Sequence, residues 1–127
     1  MVTVLCADAT PSVLAFERDM FEASPSVHLP SAATGLNALH LLCTTTPDVA
    51  VLDTSLPGMG GMEVCRRFRE VLPTAPTRII LTTDHPSPEV VKGAGADAVL
   101  PRPFSDLQLW TAVNRMLPYG LESYQSA

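Results

Sequence analysis

The run Val49-Ala50-Val51-Leu52 carries four apolar residues without a polar interruption and is closed by Asp53. A strand with no polar face is buried on both sides, which is the condition of the middle of a parallel sheet. In open α/β sheets, ligands and chemistry collect at the carboxyl ends of the strands. Asp53, followed by the loop Thr54-Ser55-Leu56-Pro57-Gly58-Met59-Gly60-Gly61, therefore stands where it can react. Aspartate also opens turns, and this stretch alone leaves both readings open.

A chain of 127 residues suits one domain and can bury a core without metal or disulfide staples. Hydrophobic residues at 46% and charged ones at 17% describe an ordinary globule rather than a disordered chain. The net charge of −5, with only eight scattered basic residues, argues against direct nucleic-acid binding. The one basic cluster, Arg66, Arg67 and Arg69, reads as a solvated helix face. Cys6, Cys43 and Cys65 are odd in number and lack CxxC spacing, so they read as small buried hydrophobes in a reducing cytoplasm. The sequence offers no basic segment followed by an apolar run at its start and no window of bilayer-crossing length. The expectation is a cytoplasmic protein with no membrane association.

Taken in order, the apolar run at 2–7 is a strand that stops at Asp8, which puts a second carboxylate at a strand end. Thr10 and Pro11 open a helix with Val13, Leu14, Phe16, Met20 and Phe21 on its apolar stripe and Glu17, Arg18, Asp19 and Glu22 on its wet side. An edge strand at 27–29 follows, bounded by Pro30, with His28 exposed rather than a ligand. The next helix covers about 36–43 and turns Leu36, Leu39, Leu42 and Cys43 inward, with His40 a partly exposed packing residue. After the central strand come a helix at 62–72, a buried strand at 78–83 and a loop at 84–88. A turn or two of helix at 89–93 and a strand at 98–100 precede a helix whose capping box is Ser105 with Gln108 and which ends near Leu117.

This alternation predicts a five-stranded doubly wound α/β fold, a parallel sheet of order 2-1-3-4-5 with helices on both faces, over residues 1–118. Residues 119–127 read as a C-terminal tail or the start of a linker. In that order the first and third strands are neighbours, which brings Asp8 and Asp53 together. Thr82 and Arg102 join them from the ends of two further strands. Two carboxylates can hold a hard cation such as Mg²⁺, and an aspartate can take a phosphoryl group. A hydroxyl and a guanidinium can bind that group's oxygens. A flavin carrier on the same fold is the weaker alternative, because Ala7-Asp8-Ala9-Thr10-Pro11 sets a carboxylate where a cofactor phosphate would be repelled.

At these residues the chain resembles the receiver domain of two-component response regulators. The resemblance spans about 2–117 and is carried by Val51-Leu52-Asp53-Thr54-Ser55-Leu56-Pro57-Gly58-Met59-Gly60-Gly61, Gly95-Ala96-Asp97 and Pro101-Arg102-Pro103-Phe104. It implies Asp53 as phospho-acceptor, Thr82 as the switch hydroxyl and a cis peptide between Arg102 and Pro103. Asp8, Asp53 and the backbone carbonyl of Ser55 would be the Mg²⁺ ligands. The chain also departs from the family: Ala9, followed by Thr10, stands where a second acid is usual, which weakens Mg²⁺ binding; Arg102 replaces a lysine, giving a planar fork for a compact ammonium; the segment between Thr82 and Gly95 is short; and Val99 stands where an aromatic is common.

What the resemblance implies is a phospho-accepting signalling domain that takes its phosphoryl group from a histidine kinase or phosphotransfer protein. It would relay the signal to an output domain or partner protein, with a homodimer as one form of output. Such a domain is no enzyme beyond its own aspartyl phosphorylation and dephosphorylation. The alternative is an atypical receiver that binds proteins without phosphate.

Overall fold

The longer strands of the central sheet alternate their side chains between two separate hydrophobic layers. Leu5 and Ala7, Ala50 and Leu52, and Ile79 and Leu81 enter one layer; Val4 and Cys6, Val49 and Val51, Ile80 and Leu100 enter the other. This period of two, with both faces apolar, is what a parallel sheet sandwiched by helices requires. The computed structural model describes residues 2–22, 24, 26–118 and 120–121.

The strands are β1 (Val2–Ala7), β2 (Val27–His28), β3 (Ser31–Ala32), β4 (Val49–Asp53), β5 (Arg78–Thr83) and β6 (Ala98–Pro101). All pair in parallel, in the order β2-β1-β4-β5-β6, with β3 also on β1. The expected order 2-1-3-4-5 is present, with its edge strand in two pieces. Pro30 has no N–H to give, yet its carbonyl accepts from Cys6 N at 3.0 Å, so the chain keeps contact with β1 across the break.

Helices α1 (Pro11–Glu22) and α5 (Asp106–Met116) cover one face, while α2 (Gly35–Thr45), α3 (Gly61–Val71) and α4 (Pro88–Ala94) cover the other. Phe21 and Phe68 anchor the two layers, each with 0% exposure. Truncating either ring to alanine would cost about 3–5 kcal/mol. The Ser105–Gln108 capping box forms as expected, with Gln108 N donating to Ser105 Oγ at 3.1 Å and Ser105 N to Gln108 Oε1 at 2.8 Å. Thr34 caps α2 through Asn37 N, and α2 is therefore longer than the expected 36–43.

Inward or outward assignments on three helices differ from the sequence reading. In α2 the buried face is Gly35, Ala38 and Leu42, and Leu36 is 69% exposed. The first turn is phased by Gly35, whose N–H donates to Pro57 O at 3.1 Å and whose missing side chain admits the loop after β4: a Cβ there would lie 1.8 Å from Met59 O. In α1, Glu17 is buried rather than on the wet side, and Phe16 is partly exposed. In α3, Arg66 and Arg67 are exposed, but Arg69 bridges to Gly95 O and to Asp97 rather than joining a solvated face.

His28 is exposed as expected, His40 is exposed rather than partly so, Cys6 and Cys65 are buried as expected, and Cys43 is only half-buried. Burial pushes the Cys65 thiol up to about 11 and the Cys6 thiol well above the usual range. Of the residues read as tail, Gly120 and Leu121 are described. Leu121 packs into the α1–α5 layer, and its N–H donates to Asn114 Oδ1 at 2.7 Å. Tyr119 and residues 122–127 lie outside the described residues.

Candidate functional site at the carboxyl edge of the sheet

The same alternation that builds the core aims the site. Asp8 lies two residues beyond Cys6, Asp53 two beyond Val51, Thr82 two beyond Ile80 and Arg102 two beyond Leu100. All four anchoring residues belong to the α1–α5 layer, so the polar groups that follow them turn toward the same side of the sheet edge. Register aligns them further, since Asp53 pairs with Thr82 and Thr82 with Leu100.

Asp8 and Asp53 are 1% and 3% exposed, deep for carboxylates. Buried charge demands partners, and each oxygen of the pair has one. Asp53 Oδ1 accepts from Ser55 N at 2.8 Å and Oδ2 from Ala9 N at 3.1 Å. Asp8 Oδ1 accepts from Thr10 N at 2.9 Å, and Asp8 Oδ2 from Arg102 Nη1 at 2.6 Å. Asp53 is thus held by backbone N–H groups from two loops, its own and the one after β1.

The closest partner of Arg102 is Asp8. The same Nη1 donates to Thr82 Oγ1 at 3.0 Å and lies 3.9 Å from Asp53 Oδ1. Its backbone N–H donates to Thr83 O at 2.9 Å, the bond to Pro103 is cis, and its guanidinium carbon lies 5.8 Å from the centre of the Phe104 ring. Phe104 in turn packs on Phe16 of α1, with ring centres 6.3 Å apart. The hydrogen bond to Asp8 raises the guanidinium's pKa above its already high value, so its charge is permanent.

Two features of the site escaped the sequence. Glu17 is 1% exposed and its Oε1 has no hydrogen-bond partner. Burial, and then the Asp8 carboxylate, push its pKa up to about 8, so it is neutral at pH 7. Its spacing was the available signal: it lies four residues after Val13 and four before Phe21, on the inward stripe. The second feature is a cavity of about 320 Å³ beside Arg102, walled by Val13, Phe16 and Phe104 with Ser12 and Asp84 at its polar parts.

Of the donors expected for Mg²⁺, Asp8 and Asp53 converge, while Ala9 has no side-chain oxygen and turns its N–H to Asp53. Among the described residues no group of three His, Cys, Asp or Glu side chains gathers that could hold a metal ion. A divalent cation between the two carboxylates would have to share their space with the guanidinium already bonded to Asp8, and this set does not fit it.

Comparison with known proteins agrees with the geometry. The sequence matches the response regulator receiver domain family over residues 4–114. Response regulator MprA of Mycobacterium sp. strain KMS is 36% identical over 87 residues, covering 68% of this chain and 38% of that relative. The chain therefore spans well under half the length of the curated relatives it matches. Chemotaxis protein CheY4 of Vibrio cholerae superposes with a TM-score of 0.82 at 28% identity, over 92% of this chain and 99% of that one. A two-component response regulator of the LuxR family from Aurantimonas sp. SI85-9A1 gives 0.78 at 27% identity, over 91% and 84%. With the central aspartate, its fold and its family match in agreement, the chain belongs to the response regulator receiver domains of two-component systems.

Proposed function

We propose that this receiver accepts a phosphoryl group on Asp53 from a histidine kinase or phosphotransfer protein and relays the change to an output domain or partner protein. The observation that carries the reading is the setting of Asp53: a buried carboxylate at the end of the central strand, oriented through both oxygens by N–H donors, with a guanidinium 3.9 Å away. In the transfer, a carboxylate oxygen forms a bond to phosphorus as the donor's bond to phosphorus breaks. The leaving imidazole nitrogen, or acetate from acetyl phosphate, keeps the electron pair. The product is a mixed anhydride carrying more negative charge than the carboxylate it replaces.

That added charge competes with Asp8 and Thr82 for Arg102, whose planar fork suits phosphate oxygens. Movement of the guanidinium would free Thr82 Oγ1 to turn toward the phosphoryl group, and the β5–α4 loop that follows would change with it. Among the described residues no helix is long and apolar enough to cross a membrane, which suits a cytoplasmic relay. The test is intact mass after incubation with acetyl phosphate in Mg²⁺ buffer. One hydroxylamine-labile phosphoryl group should appear, and Asp53→Asn should abolish it; an adduct that persists in Asp53→Asn would defeat the proposal.

The second reading is a phosphate-independent binding module. It is favoured by one observation, that the guanidinium already holds both Asp8 and Thr82. A folded protein that stays unmodified with every small phosphodonor supports it.

A further inference from the structure

We infer that the guanidinium of Arg102 takes the place of a divalent cation between Asp8 and Asp53, so that phosphoryl acceptance at Asp53 proceeds without metal. The inference rests on the acceptor reading above for its chemistry, and on the geometry of Arg102 for its charge. Nη1 sits 2.6 Å from an Asp8 carboxylate oxygen and 3.9 Å from one of Asp53, so a single cationic group reaches both acids. Mg²⁺ needs near-octahedral oxygens at about 2.0–2.1 Å. Here the second loop position after β1 is Ala9, and its N–H is spent on Asp53 Oδ2.

The guanidinium is braced rather than draped over the edge. Asp8 and Thr82 hold Nη1, the guanidinium carbon lies 5.8 Å from the centre of the Phe104 ring, and the backbone N–H of Arg102 donates to Thr83 O. Its side chain is 16% exposed. Two carboxylates against one guanidinium leave a single negative charge unbalanced. A monocation therefore comes close to balancing a site from which one acidic position is absent. Arginine also has five N–H donors; Nη1 is committed to Asp8 and Thr82, and Nη2 donates to Asp8 Oδ1 at 3.5 Å. The remaining donors, and the cavity beside them, are open to the phosphorus oxygens as the P–O bond to Asp53 forms and acetate departs from acetyl phosphate with its electron pair.

Two measurements on the full chain test this. Acetyl phosphate labelling followed by intact mass, run in parallel in EDTA and in Mg²⁺, should give the same adduct at rates within about threefold. An adduct that forms only with Mg²⁺ overturns the inference while leaving Asp53 as acceptor. No adduct in either arm removes the acceptor reading and metal-free transfer together. Titration with Mn²⁺, followed by calorimetry, then reads the replacement of the cation by itself. The wild type should show no saturable site tighter than about 1 mM, and such a site would overturn the inference. Arg102→Ala should bind Mn²⁺ about tenfold more tightly, the scale of removing one fixed charge a few ångström from a divalent ion. Unchanged affinity in that variant overturns it too. If Arg102→Ala does not fold, Arg102→Gln serves in the same titration, and both wild-type measurements decide without either variant.

Discussion

The sheet carries an aspartate–arginine network at each end, and burial separates them. At the carboxyl edge, Asp8 and Arg102 are 1% and 16% exposed, and the pair shares its space with the nearly closed-off Asp53 and Glu17. At the amino edge, Asp97 is 23% exposed and holds Arg69 and Arg78, which are 24% and 59% exposed. Asp97 Oδ2 also accepts from Ile79 N at 2.8 Å, so this carboxylate stitches α3, β5 and the start of β6. Similar groups do different jobs: in water the attraction is weak and the bond to backbone does the joining, whereas in a closed site each charge depends on its partner. The buried network is poised to respond to a new charge, and the exposed one holds elements together.

Perturbing these groups in order of burial should give a descending series. The largest effect belongs to Glu17, whose carboxyl shifts from its ordinary 4.5 to about 8 on folding. Because the folded-state value is the higher one, the folded chain holds an extra proton between these values. Its stability is full below pH 4.5, falls as pH rises and levels off above 8, a loss of roughly 5 kcal/mol at most from this group. Urea unfolding across that range should show the decline, and Glu17→Gln should flatten it.

Arg102→Ala comes next, because it leaves Asp8 buried without its cation. A loss of about 3 kcal/mol is expected, read as a lower urea midpoint with unchanged slope. A loss under about 1 kcal/mol would mean that water reaches Asp8 easily and that the two edges differ less than their exposures imply. Asp97→Ala should cost about 2 kcal/mol, chiefly through the stranded Ile79 N–H. Asp97→Asn, which keeps an acceptor there, should recover at least half of that loss. Smallest of all is the Arg67–Glu63 pair on α3, with side chains 56% and 42% exposed. Arg67→Ala should cost about 0.3 kcal/mol and nothing measurable in high salt.

The strands and the location of the site were legible because burial on both faces leaves an unmistakable run such as Val49–Leu52 and because polar residues end those runs. Less legible was the direction of individual side chains on helices. Glu17 was assigned to the wet side by its charge alone, although its spacing from Val13 and Phe21 puts it inside. Leu36 was assigned inward by its hydrophobicity, although the neighbouring Gly35 takes the closest contact. In both cases residue type outweighed position. The partner of Arg102 was beyond any pattern, since whether a long side chain reaches Asp8 or Asp53 depends on a difference of about an ångström set by three separate strands.

Gly35 also bears on how this chain can vary. Even the smallest side chain at that position would collide with the carbonyl of Met59 in the loop that leaves Asp53, and a backbone oxygen has no rotamer by which to retreat. Its neighbour Leu36 faces solvent and meets no such limit. A library randomised at both codons and selected for folded protein should return a single amino acid at 35 and a broad alphabet at 36. Two adjacent letters would then evolve under opposite rules, one frozen by an atom it has no room to add and the other drifting freely.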